Sequence, residues 1–153
     1  MSTDFGSQLP QPLMDALREE DVTVERGRAI LVITSDESGR AHPALLSYRE
    51  VGVESDSTLR VVTYDGTSTT KNLRARQNVT LVFVDERFSY YVKGTATTAS
   101  LKANGNAGLA YFGVVVEQVL EDAPGADEVG AYITSGIEFH NPWDSPRRTS
   151  LSE

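Results

Sequence analysis

Residues 63–76 read TYDGTSTTKNLRAR, a stretch that contains the end of a β-strand, a glycine loop and the start of a helix. The pattern predicts that the strand ends at Thr63 and that a short helix covers residues 70–76. Lys71 then stands in the first turn of this helix. The loop before it is rich in hydroxyl side chains, which are Thr67, Ser68, Thr69 and Thr70.

The start of this helix has the chemistry of a phosphate site. The first N–H groups of a helix have no partner inside the helix, and the helix dipole adds positive potential there. Gly66 lets the backbone approach a ligand closely. The hydroxyl groups add neutral donors and Lys71 adds a charge, so the segment is suited to binding a phosphate group.

A purely structural role for the same residues is the alternative. One hydroxyl side chain would cap the helix, with Ser68, Thr69 and Thr70 as the candidates. The basic residues of the helix would then be a solvated face of an acidic protein. These basic residues are Lys71, Arg74 and Arg76.

Short strands separated by turn signals surround this segment. Turns are predicted at residues 36–39 and 56–58, and runs of β-branched and aromatic residues predict strands between them. The six predicted strands cover residues 29–34, 43–48, 59–63, 79–84, 88–97 and 112–120. Another short helix is predicted over residues 12–19, where Leu13, Met14 and Leu17 have helical spacing. This pattern indicates a mostly β (α+β) fold, either a barrel or a sandwich.

The chain length suits one domain, because 153 residues can bury a sizeable core without disulfides. We expect that domain over residues 12–148. Flexible tails are predicted at residues 1–11 and 149–153, where the sequence is polar and lacks a periodic pattern.

Composition excludes several classes of function. The net charge of −8 argues against nucleic acid and against an anionic membrane surface. The chain has no cysteine, so disulfides, thiolate catalysis and zinc–thiolate sites are excluded. No apolar run is long enough to span a bilayer, and no signal peptide is recognisable. We therefore expect a cytoplasmic protein whose ligand is a small molecule.

Four segments in a fixed order carry a resemblance to a known family. They are HPALLSY at 42–48, TYDGTSTTKNLRAR at 63–76, NVTLVFVD at 78–85 and YYVKGTAT at 90–97. In order and spacing the chain resembles the flavin-binding split barrels related to pyridoxamine 5′-phosphate oxidase, over roughly residues 12–120. The resemblance implies a six-stranded antiparallel split barrel that forms a homodimer. It also implies FMN in each of two grooves between the subunits.

The resemblance also implies which residues contact the cofactor. Leu46 and Ser47 would lie beside the isoalloxazine ring, and Thr63 and Tyr64 would follow at the end of the next strand. The phosphate loop would consist of Thr67, Ser68, Thr69, Lys71 and Asn72.

Two positions depart from the family pattern. Many members have a lysine where this chain has Thr69, and the oxidase has an arginine in the region of His42. Both differences remove positive charge from the expected phosphate site. FMN would then bind weakly, or the groove would prefer another ligand, since members of the family also bind the deazaflavin F420 or haem.

These observations favour an FMN-dependent oxidoreductase in which the flavin does the redox chemistry, without a named catalytic residue. The alternatives are an F420-dependent reductase and a non-catalytic flavin-binding module. Oxidation of pyridoxamine phosphate is not predicted, because the C-terminal Trp143, Arg147 and Arg148 do not match the oxidase convincingly.

Other residues are predicted to have structural roles. The two histidines, His42 and His140, lie far apart in the sequence without a carboxylate at ligand spacing, so no metal site is expected. Tyr90 and Tyr91 alternate along a strand, which predicts that one faces the core and the other faces solvent or a partner.

Overall fold

The computed structural model describes residues 2–18, 27–98 and 108–140. These residues form one antiparallel sheet and two helices. The strands are β1 (Ser2–Asp4), β2 (Gly27–Ser35), β3 (Ala41–Ser47), β4 (Val51–Ser55), β5 (Thr58–Tyr64), β6 (Asn78–Val84), β7 (Ser89–Thr98), β8 (Leu109–Asp122) and β9 (Ile137–Phe139). The helices are α1 (Gln11–Arg18) and α2 (Ser68–Ala75).

The sheet runs in the order β3-β2-β6-β7-β8-β5-β4, with β1 added to β8 and β9 added to β2. Every neighbouring pair of strands is antiparallel. The sheet does not close into a continuous ring. This architecture is a split barrel, as predicted, and its six predicted strands correspond to β2, β3, β5, β6, β7 and β8.

Two pairs of predicted strands form antiparallel hairpins. In the first, Ala29 lies opposite Ser47 and Ser35 lies opposite Ala41, so β2 and β3 pair along the whole of β3. The turn between them is held by Asp36, whose carboxylate accepts hydrogen bonds from the backbone N–H groups of Ser38 and Arg40. The second hairpin joins β6 to β7.

Alternation along the strands produces the core. In β2, Ile30 and Val32 are buried, whereas Leu31 and Ile33 face outward and stay partly exposed. The predicted α1 also contributes to the core, since Leu13, Met14 and Leu17 are all buried. Tyr90 is buried while Tyr91 is half-buried, so the predicted division between these two tyrosines is confirmed.

Three strands found here are missing from the sequence prediction. They are β1, β4 and β9. Each has three to five residues and pairs along only one side, so local sequence carries little alternation to reveal it. Part of the predicted N-terminal tail is thus paired with β8, and Leu9 is buried. The predicted domain and tail boundaries stay predictions, because residues 19–26, 99–107 and 141–153 lie outside the described ranges.

Helix α2 begins two residues earlier than predicted and ends at Ala75. Its end is marked by Gln77, which has a left-handed φ of 66°, an uncommon conformation for a residue with a side chain. The carbonyl of Gln77 accepts a hydrogen bond from the N–H of Ala96 on β7. No helix within the described residues is both long and apolar enough to cross a membrane.

Gly94 is required where β7 changes its register with β8. The pairing passes from Lys93–Gln118 to Gly94–Val116, so Glu117 is the extra residue of a bulge in β8. A Cβ atom at Gly94 would lie 2.4 Å from the backbone carbonyl oxygen of Val115. The two backbones therefore come too close for any side chain.

We expect Gly94→Ala to destabilise the fold by about 1–3 kcal/mol, because the added methyl group would force apart the longest strand pairing in the barrel. The measurement is the free energy of unfolding from urea titration. Gly125→Ala is the matched control, since a Cβ atom there meets no heavy atom within 4 Å. Equal stability of the two variants would show that the bulge tolerates a side chain.

Candidate functional site

The loop before α2 is organised by hydroxyl groups. Thr67 is the N-cap residue, and its Oγ1 accepts a hydrogen bond of 3.2 Å from the N–H of Thr70. The same hydroxyl donates to the carbonyl of Tyr64 at 2.9 Å. A hydroxyl does cap the helix, as the structural alternative proposed, but the capping residue is Thr67 rather than one of the residues at 68–70.

Thr70 completes this network. Its hydroxyl donates to the carbonyl of Tyr64 at 2.6 Å and lies 2.7 Å from the hydroxyl of Thr63. Thr63 and Thr70 are both buried, so their hydroxyl groups connect the end of β5 to α2. This connection fixes the direction in which the helix leaves the sheet.

Asn72 anchors α2 on the opposite hairpin. Its side-chain amide donates to the hydroxyl of Thr34 on β2 at 3.0 Å, and its Oδ1 accepts from Arg76 at 2.7 Å. Arg76 also donates to the backbone carbonyl of Ser35 at 2.7 Å. Asn72 is buried and its side-chain amide is hydrogen-bonded within the protein, so these contacts are structural. Sequence reasoning missed this bridge because Thr34 is distant in the chain.

The remaining predicted residues of this segment differ in exposure. Tyr64, Ser68 and Lys71 are exposed, whereas Thr69 is buried. The cap satisfies the N–H of Thr70, and the N–H groups of Ser68 and Thr69 precede it in the first turn. The outward chemistry of the loop therefore comes from exposed Ser68 and Lys71 and from the start of the helix.

A groove of about 320 Å³ contains the other two predicted residues. Leu46 and Ser47, at the end of β3, form one part of its wall. Sequence reasoning missed the rest of the lining, which is Ala29, Leu45, Glu50, Ile137 and Phe139. The lining joins three parts of the chain that only the sheet brings together, and it is apolar apart from Ser47 and Glu50.

Glu50 lies on a short 3₁₀ turn, Tyr48–Glu50, that follows β3 directly. The hydroxyl of Ser47 donates to its Oε1 at 3.2 Å. Burial raises the pKa of Glu50, while hydrogen bonds from the Ser47 hydroxyl and backbone oppose this rise. The groove thus holds a half-buried carboxyl group whose orientation is set by its neighbour.

Strand β9 forms the far wall of the groove by pairing with the start of β2. Phe139 lies opposite Gly27, and a Cβ atom at Gly27 would be 2.5 Å from the Phe139 ring. A Cβ atom at Gly136 would come similarly close to the backbone carbonyl oxygen of Val84. These two glycines let the β9 segment lie flat against the barrel.

The groove and the α2 loop belong to opposite ends of the β2–β3 hairpin. Ala29 and Ser47 pair at the groove end, while Thr34, to which Asn72 is bonded, lies five residues further along β2. Five residues of β-strand span about 16 Å. Because side chains alternate along a strand, Ala29 and Thr34 also point to opposite faces of β2. A ligand that touches both ends must therefore be elongated and must pass from one face of the hairpin to the other.

An ionic cluster forms around Asp85. The Asp85 carboxylate is buried, with Arg87 at 2.7 Å and Arg28 at 3.9 Å, and it accepts a hydrogen bond of 3.3 Å from Tyr48. Burial alone would raise the pKa of Asp85, but hydrogen bonds and charge from Arg87 outweigh burial and lower it. Burial beside this carboxylate raises the pKa of Tyr48 to about 12.

A second cavity of about 340 Å³ lies near Tyr91, Asp122 and Tyr132, and none of the predicted site residues lines it. Within the described parts of the chain, no group of three or more His, Asp or Glu side chains is arranged to hold a metal ion. Trp143, Arg147 and Arg148 lie outside the described residues.

Comparison with known proteins identifies the fold. No protein-family model matches the sequence, and no curated protein matches it. A pyridoxamine 5′-phosphate oxidase-like protein from Lactobacillus delbrueckii superposes with a TM-score of 0.57 at 15% identity, covering 76% of this chain and 97% of that one. The chain therefore has the split-barrel fold of the pyridoxamine 5′-phosphate oxidase-like proteins, as its sequence resemblance implies.

Proteins with this fold differ in what they bind. An F420 reductase superposes with a TM-score of 0.50 at 12% identity, covering 67% of this chain and 96% of that one. HutZ, the haem storage protein from Vibrio cholerae, superposes with a TM-score of 0.53 at 13% identity, covering 73% of this chain and 93% of that one. At such identities the likeness concerns the fold, and the ligand has to be argued from the residues of this chain.

We expect the Asp85 cluster to stabilise the fold near neutral pH and to lose this effect at low pH. Because the folded-state pKa of Asp85 is lowered, its stabilising effect is complete above the unfolded-state value near 4 and is lost as pH falls through the folded-state pKa. Thermal unfolding from about pH 6 to pH 2 should show a smaller acid-induced loss in Asp85→Asn than in the wild type. Asp127→Asn, in an exposed loop, should follow the wild type. If acid lowered the thermal stability of all three proteins equally, this role of Asp85 would be contradicted.

Proposed function

We propose that this protein binds FMN along the β2–β3 hairpin and acts, as a homodimer, as a flavin-dependent oxidoreductase. The observation that carries the proposal is the position of the two predicted half-sites on one hairpin. An apolar groove with Leu46 and Ser47 lies at one end, and the hydroxyl-rich start of α2 is anchored at the other. FMN has the matching form, with a flat ring at one end and a phosphate at the other.

The α2 end supports a phosphate through backbone donors more than through charge. The Thr67 hydroxyl accepts the hydrogen bond from the N–H of Thr70. The N–H groups of Ser68 and Thr69 are then the donors for an anion. Lys71 is exposed on the first turn and adds a single positive charge. Thr69 stands where many split barrels have a lysine, so the affinity for FMN should be moderate.

The groove end supports a flat ring. The side chains of Leu45, Leu46, Ile137 and Phe139 provide apolar contact, and burying a ring against them is favourable. When bound, the flavin would supply the redox chemistry. The residues of this chain would bind and orient it and exclude water from one face of the ring.

The outer face of the sheet supports a homodimer. Leu31 on β2 pairs with Leu45 on β3 and with Val82 on β6, and all three face away from the core. Leu45 is 57% exposed. An apolar face beside the groove is typical of a surface that a second subunit covers. Such a subunit would also close the groove over the ring.

A second candidate is the same groove with F420, or with a flavin held without turnover. The substitution at Thr69 favours it, because a weak phosphate site would suit a different ligand or a carrier. The F420 reductase and the haem storage protein with this fold make both deazaflavin and haem reasonable competitors.

We expect the purified protein to bind FMN and to keep a two-band flavin spectrum after desalting. Lys71→Glu should weaken FMN binding about five- to tenfold, since the variant puts a negative charge beside the phosphate. Lys93→Glu is the matched control, because Lys93 is an exposed residue of β7 outside both half-sites. The measurement is quenching of flavin fluorescence on titration.

Each other outcome of this titration has a distinct meaning. Equal affinity of Lys71→Glu and Lys93→Glu would remove Lys71 from the site and leave the phosphate to backbone donors. If the wild-type protein retains F420 or haem but no FMN, the retained compound would replace FMN as the proposed ligand.

We also expect a dimer at micromolar concentration in analytical ultracentrifugation. Leu45→Glu should shift it toward the monomer, because the charge would lie in the apolar face. Val129→Glu, at a residue that is 90% exposed in a loop, should leave the dimer intact. A wild-type monomer would contradict the dimer and leave the groove open over the ring.

A further inference from the structure

Glu50 is the charged residue among those that line the groove. The side chains around it are apolar except for Ser47, and it is half-buried between the end of β3 and β9. Within residues 2–18, 27–98 and 108–140, no ion pair involves Glu50. A carboxyl group in such surroundings is stabilised by a ligand that brings hydrogen-bonding groups to it.

The orientation of this carboxyl group is set before any ligand arrives. Ser47 donates its hydroxyl to Oε1 and its backbone N–H to the same carboxyl group, and the remaining acceptor positions of that group are left for a ligand. Ser47 is itself held in β3 by its pairing with Ala29. A preorganised acceptor favours a ligand that places an N–H group beside it, and the apolar groove around it favours a ligand whose N–H lies at the edge of a flat ring.

The candidate cofactors differ in this feature. The isoalloxazine ring of FMN and the deazaflavin ring of F420 each have an imide edge, with one N–H between two carbonyl groups. Haem has no imide edge, and its own carboxylates would be repelled by an ionised Glu50. Glu50 therefore distinguishes FMN and F420 from haem.

We propose that Glu50, oriented by Ser47, hydrogen-bonds the imide edge of the cofactor ring and thereby selects a flavin or deazaflavin over haem. This inference rests on the proposed function, because it requires the ring to lie in this groove. It assigns the pyrimidine side of the ring to the Tyr48–Glu50 turn, where β9 closes the groove. Glu50 becomes a ligand-binding residue that the four family-like segments do not contain.

The environment of Glu50 supports the pairing. Burial raises its pKa, so a ligand that favours the protonated form finds that form easier to reach. A protonated carboxyl group accepts from the imide N–H and donates to the adjacent carbonyl. An ionised one still accepts from the N–H, so the N–H contact exists in both states.

The test compares FMN with N3-methyl-FMN, which lacks the imide N–H. The proteins are the wild type, Glu50→Ala, Glu50→Gln and Glu37→Gln, and the measurement is quenching of flavin fluorescence. Glu37 is the control because it is exposed in the β2–β3 turn, far from the groove. We expect the wild type to prefer FMN about tenfold, since a lost hydrogen bond leaves a buried group without its partner.

Glu50→Ala should abolish this preference, while Glu50→Gln should retain it because a carboxamide offers the same acceptor and donor. Glu37→Gln should behave as the wild type. The inference is overturned if FMN binds but N3-methyl-FMN binds equally well, or if the preference survives in Glu50→Ala. A wild-type protein that binds neither compound overturns the proposed function, and this inference with it.

Discussion

The pairing of β8 with β7 on one side and β5 on the other joins the two parts of the barrel. Strand β8 is 14 residues long, and it also receives β1 near its end. Without this double pairing, the β2–β3 and β6–β7 hairpins would be separated from β5 and from the helix that follows it. The absence of a side chain at Gly94 lets the backbones of β7 and β8 approach closely beside the bulge, where the register of their pairing shifts.

Once β5 is placed, a series of hydrogen bonds places α2. Thr63 and Thr70 connect the helix to β5, and Asn72 connects it to Thr34 on β2. The helix therefore spans the mouth of the split barrel. Several residues with ligand-binding chemistry are used in this way for structure, which leaves backbone donors and Lys71 for a phosphate. In the proposed site, these fixed backbone donors would give a phosphate a defined position even though Thr69 stands where many split barrels have a lysine.

The groove has a different origin from the α2 loop. It is built by the end of β3, the turn that carries Glu50 and the C-terminal strand β9. Two glycines let β9 lie close against the barrel, because a Cβ atom at Gly27 would meet the Phe139 ring and one at Gly136 would meet Val84 and Asp85. An elongated cofactor would connect this groove to α2 along the hairpin, and the apolar outer face would place a second subunit beside it.

Local sequence determined much of this protein. Alternation in β2 and β6–β7, the turn at Asp36 and the glycine loop before α2 are short-range features, so six strands and two helices could be predicted from them. The choice of a split barrel over a sandwich came from the resemblance of four segments to a known family. Leu46 and Ser47 line a groove, and their contact with a cofactor stays a prediction. The short strands β1, β4 and β9 could not be predicted, because three to five residues at an edge carry too little pattern. Only the tertiary structure decided that Asn72 binds Thr34 and that Glu50 shares a groove with Phe139, since each of these contacts depends on how distant parts of the chain pair.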